Sequence, residues 1–146
     1  MKIAVLSGKG GTGKTTIATN LAMVLGFTYV DCDVEEPNGF IFLKPEIFES
    51  EDVSVLMPNI NIERCSLCSK CVEACQFNAL ANTGKEIIIF EKLCHSCGAC
   101  SLVCTEEAIN ERTRIIGKID IGKHENISCI RGVLNIGEPM AGPIIS

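Results

Sequence analysis

The chain has 146 residues, of which 47% are hydrophobic, and it carries ten cysteines and a net charge of −5. That length suits one ordinary domain or two small ones. The acidic balance argues against a nucleic-acid-binding surface, and no apolar run approaches the roughly 18–20 residues of a membrane span. The apolar run at residues 3–6 is too short for a signal peptide, so we expect a cytoplasmic protein.

A glycine-rich loop comes first in the chain. Residues 8–16 match the phosphate-loop pattern G-x-x-x-x-G-K-[ST]. Residues 3–6 predict a buried strand before the loop, and residues 15–25 predict a helix after it, capped by Gly26. Backbone N–H groups of such a loop surround phosphate oxygens, and the helix N-terminus adds positive potential. A glycine-rich turn without a ligand is the alternative.

Within this loop, Lys14 is expected to contact the β- and γ-phosphates, and the Thr15 hydroxyl is expected to bind Mg²⁺. The predicted nucleotide-binding residues are Gly8, Lys9, Gly10, Gly11, Thr12, Gly13, Lys14, Thr15 and Thr16.

The second predicted strand, residues 27–30, should lie parallel to the first. It is followed by Asp31, Cys32 and Asp33. Carboxylates at the carboxyl end of a strand beside a phosphate loop are placed to act on Mg²⁺ and its waters. Solvated acids that end the strand are the alternative. Cys32 lies between the two acids, and we expect it to be a small buried apolar residue.

An additional lysine, Lys9, gives Lys-Gly-Gly-Thr-Gly-Lys-Thr over residues 9–15. This loop resembles that of the MinD/ParA-like ATPases, a superfamily that includes the nitrogenase iron protein and the Mrp-like proteins. The resemblance implies an α/β P-loop NTPase fold with a parallel sheet, and ATP as the nucleotide. It also implies that Lys9 crosses a homodimer interface to the partner's nucleotide. Asp33 would orient the attacking water in the Mg²⁺ shell, and Asp31 would be a secondary metal-shell or structural acid.

Residues 39–58 supply apolar material for the core, whereas Pro45 and Pro58 should break any long element. The predicted core residues are Phe40, Ile41, Phe42, Leu43, Ile47, Phe48, Val53, Val55 and Leu56.

Eight of the cysteines form two identical runs, C-x-x-C-x-x-C-x-x-x-C, that begin at Cys65 and Cys94, 29 residues apart. In a cytoplasmic chain, such cysteines predict metal or cluster ligation rather than disulfides. The spacing suits [4Fe–4S] clusters, in which the fourth cysteine of one run ligates the other cluster. The first predicted cluster therefore takes Cys65, Cys68, Cys71 and Cys104, and the second takes Cys94, Cys97, Cys100 and Cys75.

Residues 59–112 resemble the bacterial two-cluster ferredoxins, with residues 86–90 as an intervening strand. Those proteins usually have proline after the fourth cysteine, whereas Gln76 and Thr105 stand there in this chain. Two zinc sites are the alternative, although zinc usually takes separated C-x₂-C pairs. His95, between two cluster ligands, is expected near the cluster or at the surface rather than as a ligand.

Residues 113–137 predict two antiparallel strands, at 114–121 and 127–136, with His124 in the turn. Cys129 is expected to be a free core cysteine, with a transferable cluster ligand as the alternative. Residues 137–146 resemble the start of the next helix of the MinD/ParA family. The Asp-Gly-Pro-Pro-Gly segment that follows in that family, the Walker B and second switch, is absent here. We interpret the chain as an N-terminal half with an incomplete sheet. The predicted domains are 1–57 and 113–146 for the ATPase, with 58–112 as an inserted α+β ferredoxin domain.

The two motifs together predict an ATPase that couples nucleotide state to electron transfer through two [4Fe–4S] clusters, toward a redox partner protein. An ATP-dependent carrier that delivers iron–sulfur clusters to an acceptor protein, as in the Mrp-like branch, is the alternative. A third possibility is a ferredoxin module on a vestigial nucleotide-binding scaffold.

Overall fold

Five α-helices and six β-strands follow one another along residues 1–146, all of which the computed structural model describes. In chain order they are α1 (Lys14–Leu25), β1 (Tyr29–Asp31), α2 (Gly39–Leu43), β2 (Glu46–Ile60), α3 (Lys70–Ala74), β3 (Leu80–Asn82), β4 (Ile87–Ile89), α4 (Ala99–Leu102), β5 (Ile109–His124), β6 (Ile127–Leu134) and α5 (Gly142–Ile145). None of the helices is long and apolar enough to cross a membrane.

The larger sheet has four strands in the order β1-β6-β5-β2. β1 pairs in parallel with β6, placing Tyr29 opposite Cys129, while β5 and β6 form an antiparallel pair. The antiparallel strands predicted from residues 113–137 are therefore confirmed, and His124 is the last residue of β5. A mixed sheet with helices and one parallel pair is consistent with an α/β P-loop NTPase-like fold.

The prediction of a strand at residues 3–6 is wrong. These residues form no strand, and the side chains of Ile3 and Leu6 are 44% and 87% exposed. An apolar run becomes a strand only when a neighbouring strand accepts its backbone hydrogen bonds, and none of the paired strands includes these residues. The parallel partner of β1 is consequently β6, not the segment before the phosphate loop.

The helix predicted after the phosphate loop is confirmed as α1. Gly26 ends it with φ of 65°, in the left-handed region, and its N–H donates to the carbonyl of Ala22. The helix contacts the core through Ala18 and Ala22, which lie four residues apart on one face. Three of the larger apolar side chains of α1 are exposed: Ile17, Val24 and Leu25.

The core expected from residues 40–56 is only partly present. Phe40 and Leu43 are buried, but five of the predicted core residues are exposed: Ile41, Phe42, Ile47, Phe48 and Leu56. β2 is the outermost strand of the sheet, so it has a neighbour on one side only. The same position explains why Pro58 lies within β2 instead of ending it, because an edge strand tolerates a proline that lacks an N–H group.

Contacts within the chain define two compact units. Unit 1 comprises Met1–Val53, Gly117–Ile136 and Ile144–Ser146, and unit 2 comprises Ser54–Ile116 and Gly137–Pro143. The core of unit 1 is formed by α1, α2, β1 and β6, through Ala22, Tyr29, Phe40, Leu43, Ile127 and Cys129. Unit 2 contains α3, α4 and the antiparallel pair β3–β4, and its core includes Cys71 and Cys100.

Unit 1 contains a fully buried carboxylate, Asp120 on β5. It accepts hydrogen bonds from the Ser50 hydroxyl at 2.8 Å and from Arg131 Nε at 2.9 Å, and Lys118 Nζ lies 3.0 Å away. Burial alone would raise the pKa of Asp120, but these three donors outweigh it and hold the pKa below its usual value. The Arg131 guanidinium also lies over the Phe40 ring, 4.5 Å from its centroid.

Replacing this carboxylate should destabilise the protein. We expect Asp120→Asn to lower the free energy of unfolding by about 2 kcal/mol at pH 7, because Arg131 loses a charged acceptor. Because the folded-state pKa is depressed, the carboxylate stabilises above the ordinary aspartate value of about 4, and this stabilisation is lost as the pH falls through the folded-state pKa. Urea denaturation between pH 7 and pH 3 should therefore show the difference between the two proteins shrinking. The control is Asp52→Asn, at an exposed acid of β2, and a similar loss in both variants would contradict the prediction.

Candidate functional site

The glycine-rich loop leads directly into α1. Gly11 and Gly13 have φ of 73° and 84°, values that a side chain would make costly, and Gly13 is the N-cap of the helix. Successive residues of this kind turn backbone N–H groups toward one side and form a concave anion-binding surface. The twelve-residue helix adds its N-terminal dipole at the same place. The local backbone is therefore suited to bind phosphate.

Hydrogen bonds within the loop hold its shape. The Thr12 hydroxyl donates to Ser7 Oγ at 2.7 Å, and Ser7 Oγ donates to the Lys9 carbonyl at 2.9 Å. Lys14 and Thr15 are the first two residues of α1 and are half-buried, whereas Lys9 is exposed. The structure thus places Lys14 and Thr15 at the helix N-terminus, where phosphate and its metal would be bound.

Of the two predicted acids, Asp31 is buried and Asp33 is exposed. Asp31 Oδ2 accepts the Tyr29 hydroxyl and the Gly39 N–H, both at 3.0 Å, and Oδ1 accepts the Asp33 N–H at 3.2 Å. The Asp31 carboxylate therefore accepts hydrogen bonds from both ends of the segment between β1 and α2, which carries Asp33. These contacts favour the structural role for Asp31 over a place in a metal shell. Asp33 follows β1 and has its side chain in solvent.

Tyr29 and Gly39 fit closely against each other beside Asp31. A Cβ added at Gly39 would lie 2.1 Å from the Tyr29 hydroxyl oxygen, so only glycine fits at the start of α2. Burial and the neighbouring Asp31 charge both raise the pKa of the Tyr29 hydroxyl. The hydroxyl consequently stays protonated and remains a donor. Sequence reasoning missed this tyrosine, because nothing in the local pattern links it to the acid two residues later.

Two cysteines, Cys32 and Cys129, lie outside the two cysteine runs, and their environments differ. Cys32 is exposed, so the prediction that it is buried is wrong. β1 ends at Asp31, and the alternation of buried and exposed residues ends with the strand. Cys129 is fully buried in the core of unit 1, as predicted, and burial raises the pKa of its thiol.

The other eight cysteines line two cavities of unit 2 in crossed sets. The cavity that we call the Cys94 cavity is lined by Cys75, Cys94, Cys97 and Cys100. The Cys65 cavity is lined by Cys65, Cys68, Cys71 and Cys104. Each cavity thus receives three cysteines from one run and the fourth cysteine from the other run.

The backbone repeats with the same 29-residue offset as the cysteines. Left-handed φ values recur at three matched pairs of positions: Leu67 and Ser96, Ser69 and Gly98, Asn78 and Glu107. The N–H of Ala79 donates to Cys75 Sγ at 3.3 Å, and the N–H of Ala108 donates to Cys104 Sγ at 3.3 Å. The two cysteine runs therefore fold alike, and both turn N–H donors toward sulfur.

The cysteines of the cavities differ in exposure. Burial raises the pKa of Cys71 and of Cys100, which pack in the core of unit 2. Cys68 is exposed, and a hydrogen bond from the Lys70 N–H is the main reason that its pKa is lowered. No three His, Cys, Asp or Glu side chains of the chain are grouped closely enough to hold one metal ion.

Polar residues near the cavities include some that the sequence did not indicate. His95 is exposed, as expected, and stacks on Phe77 with 3.9 Å between ring centroids at the Cys94 cavity. Ser96 and Ser101 line the same cavity, and their hydroxyl oxygens are buried without a hydrogen-bond partner. A position-by-position comparison of the two cysteine runs is the one signal that would have singled out these serines.

The Tyr29–Asp31 contact can be tested with a double-mutant cycle. We expect Tyr29→Phe to lower the free energy of unfolding by about 1.5 kcal/mol, because it removes a hydrogen bond to a buried charged group. In the Asp31→Asn background the same change should cost less, since the acceptor is then neutral. Urea denaturation measures all four proteins. Equal costs of Tyr29→Phe in the two backgrounds would show that the two side chains do not interact.

Comparison with known proteins places the chain in a family. Residues 3–137 match the profile described as the CobQ/CobB/MinD/ParA nucleotide-binding domain. An uncharacterised protein of Methanocaldococcus jannaschii is 33% identical over an alignment that covers 100% of this chain and 54% of the relative. A second uncharacterised protein of that organism is 37% identical over 92 residues, covering 56% of this chain and 31% of the relative. The chain thus spans about half the length of the first relative. It belongs to the CobQ/CobB/MinD/ParA family of nucleotide-binding domains.

Proposed function

We propose that this chain binds MgATP at residues 8–16 and two [4Fe–4S] clusters in unit 2, and that nucleotide state is coupled to electron transfer through the clusters. The observation that carries the proposal is the crossed arrangement of eight cysteines around two cavities. Cysteines at this spacing, with the fourth ligand exchanged between runs, are typical of two-cluster iron–sulfur proteins. Bound clusters would each accept and release one electron.

The cysteine spacing suits a cluster better than a single metal ion. Zinc usually takes its four thiolates as separated C-x₂-C pairs. In this chain, residues 65–71 and 94–100 each hold three cysteines, and the fourth cysteine at each cavity comes from the other run. This pattern is typical of two-cluster iron–sulfur proteins, and it favours the cluster over the zinc alternative.

Backbone geometry also supports an anionic cluster. Leu67 and Ser69 have φ of 57° and 66° within the loop between Cys65 and Cys71, and Ser96 and Gly98 repeat this in the second run. Left-handed residues turn N–H groups into concave sites that occur around phosphates and iron–sulfur clusters. Non-glycine residues adopt such a backbone at a cost, so it persists where the surrounding structure requires it.

For the nucleotide, the family supports binding, and the loop supports the roles of its residues. Lys14 would neutralise developing charge on the transferred phosphoryl group, and the Thr15 hydroxyl would ligate Mg²⁺. Asp33, exposed after β1, would orient the attacking water in the Mg²⁺ shell. Lys9 is exposed on the loop, which suits a residue that reaches the nucleotide of a second copy in a homodimer. Hydrolysis would then reset the conformation that ATP stabilises.

The nucleotide site is tested with Lys14→Ala. We expect this change to weaken MgATP binding about 10- to 100-fold, because a charged donor to the phosphates is lost. Isothermal titration calorimetry of the iron-replete protein measures the affinity. The matched control is Lys123→Ala, at an exposed lysine of β5, which should bind MgATP as the unaltered chain does. Equal affinity in the two variants would refute the assignment of Lys14.

The crossed ligand sets are tested by iron content. The unaltered chain should hold about eight iron atoms, the content of two [4Fe–4S] clusters, with broad visible absorption. Cys65→Ala combined with Cys104→Ala should leave about four iron atoms, because both cysteines belong to one cavity. If each run instead held its own cluster, the same pair would damage both clusters. The control is Cys32→Ala, outside both cavities, which should keep all of the iron.

In the alternative function, a carrier that delivers iron–sulfur clusters to an acceptor protein, the same eight cysteines would bind the clusters. A carrier must release its cluster, whereas Cys71 and Cys100 are buried in the core of unit 2. This burial favours resident clusters and electron transfer. Incubation of the iron-replete protein with an apo-acceptor separates the two ideas, since transfer of iron and sulfide would support the carrier.

A further inference from the structure

The two cysteine cavities differ in their buried polar groups. Ser96 and Ser101 line the Cys94 cavity, and both hydroxyl oxygens are buried without a hydrogen-bond partner. The residues 29 positions earlier are Leu67 and Val72, which have no polar side-chain atom. A buried hydroxyl without a partner is unfavourable, so such groups in a folded protein need an explanation. An acceptor that fills the Cys94 cavity supplies one.

We propose that the Ser96 and Ser101 hydroxyls donate hydrogen bonds to sulfur atoms of the cluster in the Cys94 cavity. Reduction adds negative charge to a cluster, and donors to its sulfurs stabilise the more negative state. The cluster in the Cys94 cavity then has the higher of the two reduction potentials. This inference rests on the proposed function, because it assumes that both cavities hold clusters.

The other donors to sulfur do not cancel this difference. The N–H contacts to Cys75 and Cys104 are matched at 3.3 Å, one in each cavity. Two hydroxyls, of Ser66 and Ser69, line the Cys65 cavity. Ser66 and the neighbouring Cys68 are exposed, and the Ser69 hydroxyl oxygen already accepts a hydrogen bond from the Asn82 side-chain amide at 2.7 Å. Water competes for an exposed sulfur, whereas a buried hydrogen bond acts in a medium of low dielectric constant. The buried hydroxyls therefore have the larger effect.

Charged and titratable side chains also line the two cavities, and all of them are exposed: Glu111 and His95 at the Cys94 cavity, and Lys70 and Glu106 at the Cys65 cavity. Solvent and salt screen charges in such positions. In the chain reduced by one electron, the added electron is consequently held mainly in the Cys94 cavity.

The test is a redox titration monitored by electron paramagnetic resonance, with dithionite as the reductant. Ser96→Ala combined with Ser101→Ala should lower the higher midpoint potential by about 59 mV, which corresponds to a tenfold change in a one-electron equilibrium. The lower potential should stay the same. Cys65→Ala combined with Cys104→Ala removes two ligands of the Cys65 cavity, so only the higher potential should remain, which assigns that potential to the Cys94 cavity. The matched control is Ser128→Ala, at an exposed serine of unit 1, which should move neither.

Two results would overturn the inference: unchanged potentials in the serine double variant, or a shift in the potential that disappears in the Cys65→Ala and Cys104→Ala variant. If the serine double variant loses iron, the single variants Ser96→Ala and Ser101→Ala decide, because each should lower the higher potential by a smaller amount. No shift in either single variant would also overturn the inference. An unaltered chain without iron and visible absorption would instead refute the proposed function, so the two failures are distinguishable.

Discussion

The exchange of one cysteine between the two runs is the constraint on which unit 2 depends. Neither run lines its cavity alone, because the fourth cysteine at each cavity, Cys104 or Cys75, comes from the other run. The two runs must therefore fold together, although they are 29 residues apart. The packing reflects this, since Cys71 and Cys100 share one core with Leu80 and Ile87 of the β3–β4 pair. The cysteines are thus both the cavity lining and the apolar core of the unit.

Duplication gives the two cavities the same backbone but leaves their side chains free to differ. The left-handed φ at Leu67 recurs at Ser96, and the N-cap before α3 recurs before α4 as Gly98 in place of Ser69. A left-handed backbone costs a side-chain-bearing residue of order 1–3 kcal/mol, so its repetition at matched positions indicates a shared requirement. That requirement is the direction of the N–H groups. The direction of the N–H groups does not depend on the side chains at those positions. An apolar residue in one run can therefore correspond to a residue with a hydroxyl group in the other.

How much the sequence predicts depends on whether a feature is local. The phosphate loop, α1 with its Gly26 cap, and the β5–β6 pair follow from spacing and glycine positions within a few residues. Whether Ile17, Phe42 and Phe48 are buried does not follow from the local sequence, because burial depends on which elements pack against them, and all three side chains are exposed. The strand expected before the loop fails for the same reason, since pairing is decided by distant residues. The cysteine sets were predictable at long range only because ligand spacing encodes the exchange. The serine hydroxyls of the Cys94 cavity carry no pattern of their own.

In unit 1, the hydrogen bonds of Asp31 connect the exposed acid Asp33 with the buried core. The Asp33 side chain, in the segment between β1 and α2, is exposed to solvent. The Asp31 carboxylate nevertheless accepts hydrogen bonds from the N–H groups of Asp33 and Gly39. Gly39 begins α2, and the next residue, Phe40, lies in the core under the Arg131 guanidinium. Arg131 in turn binds the buried Asp120. A displacement of Asp33 by a phosphate or its metal would therefore act on a chain of buried contacts rather than on a free loop.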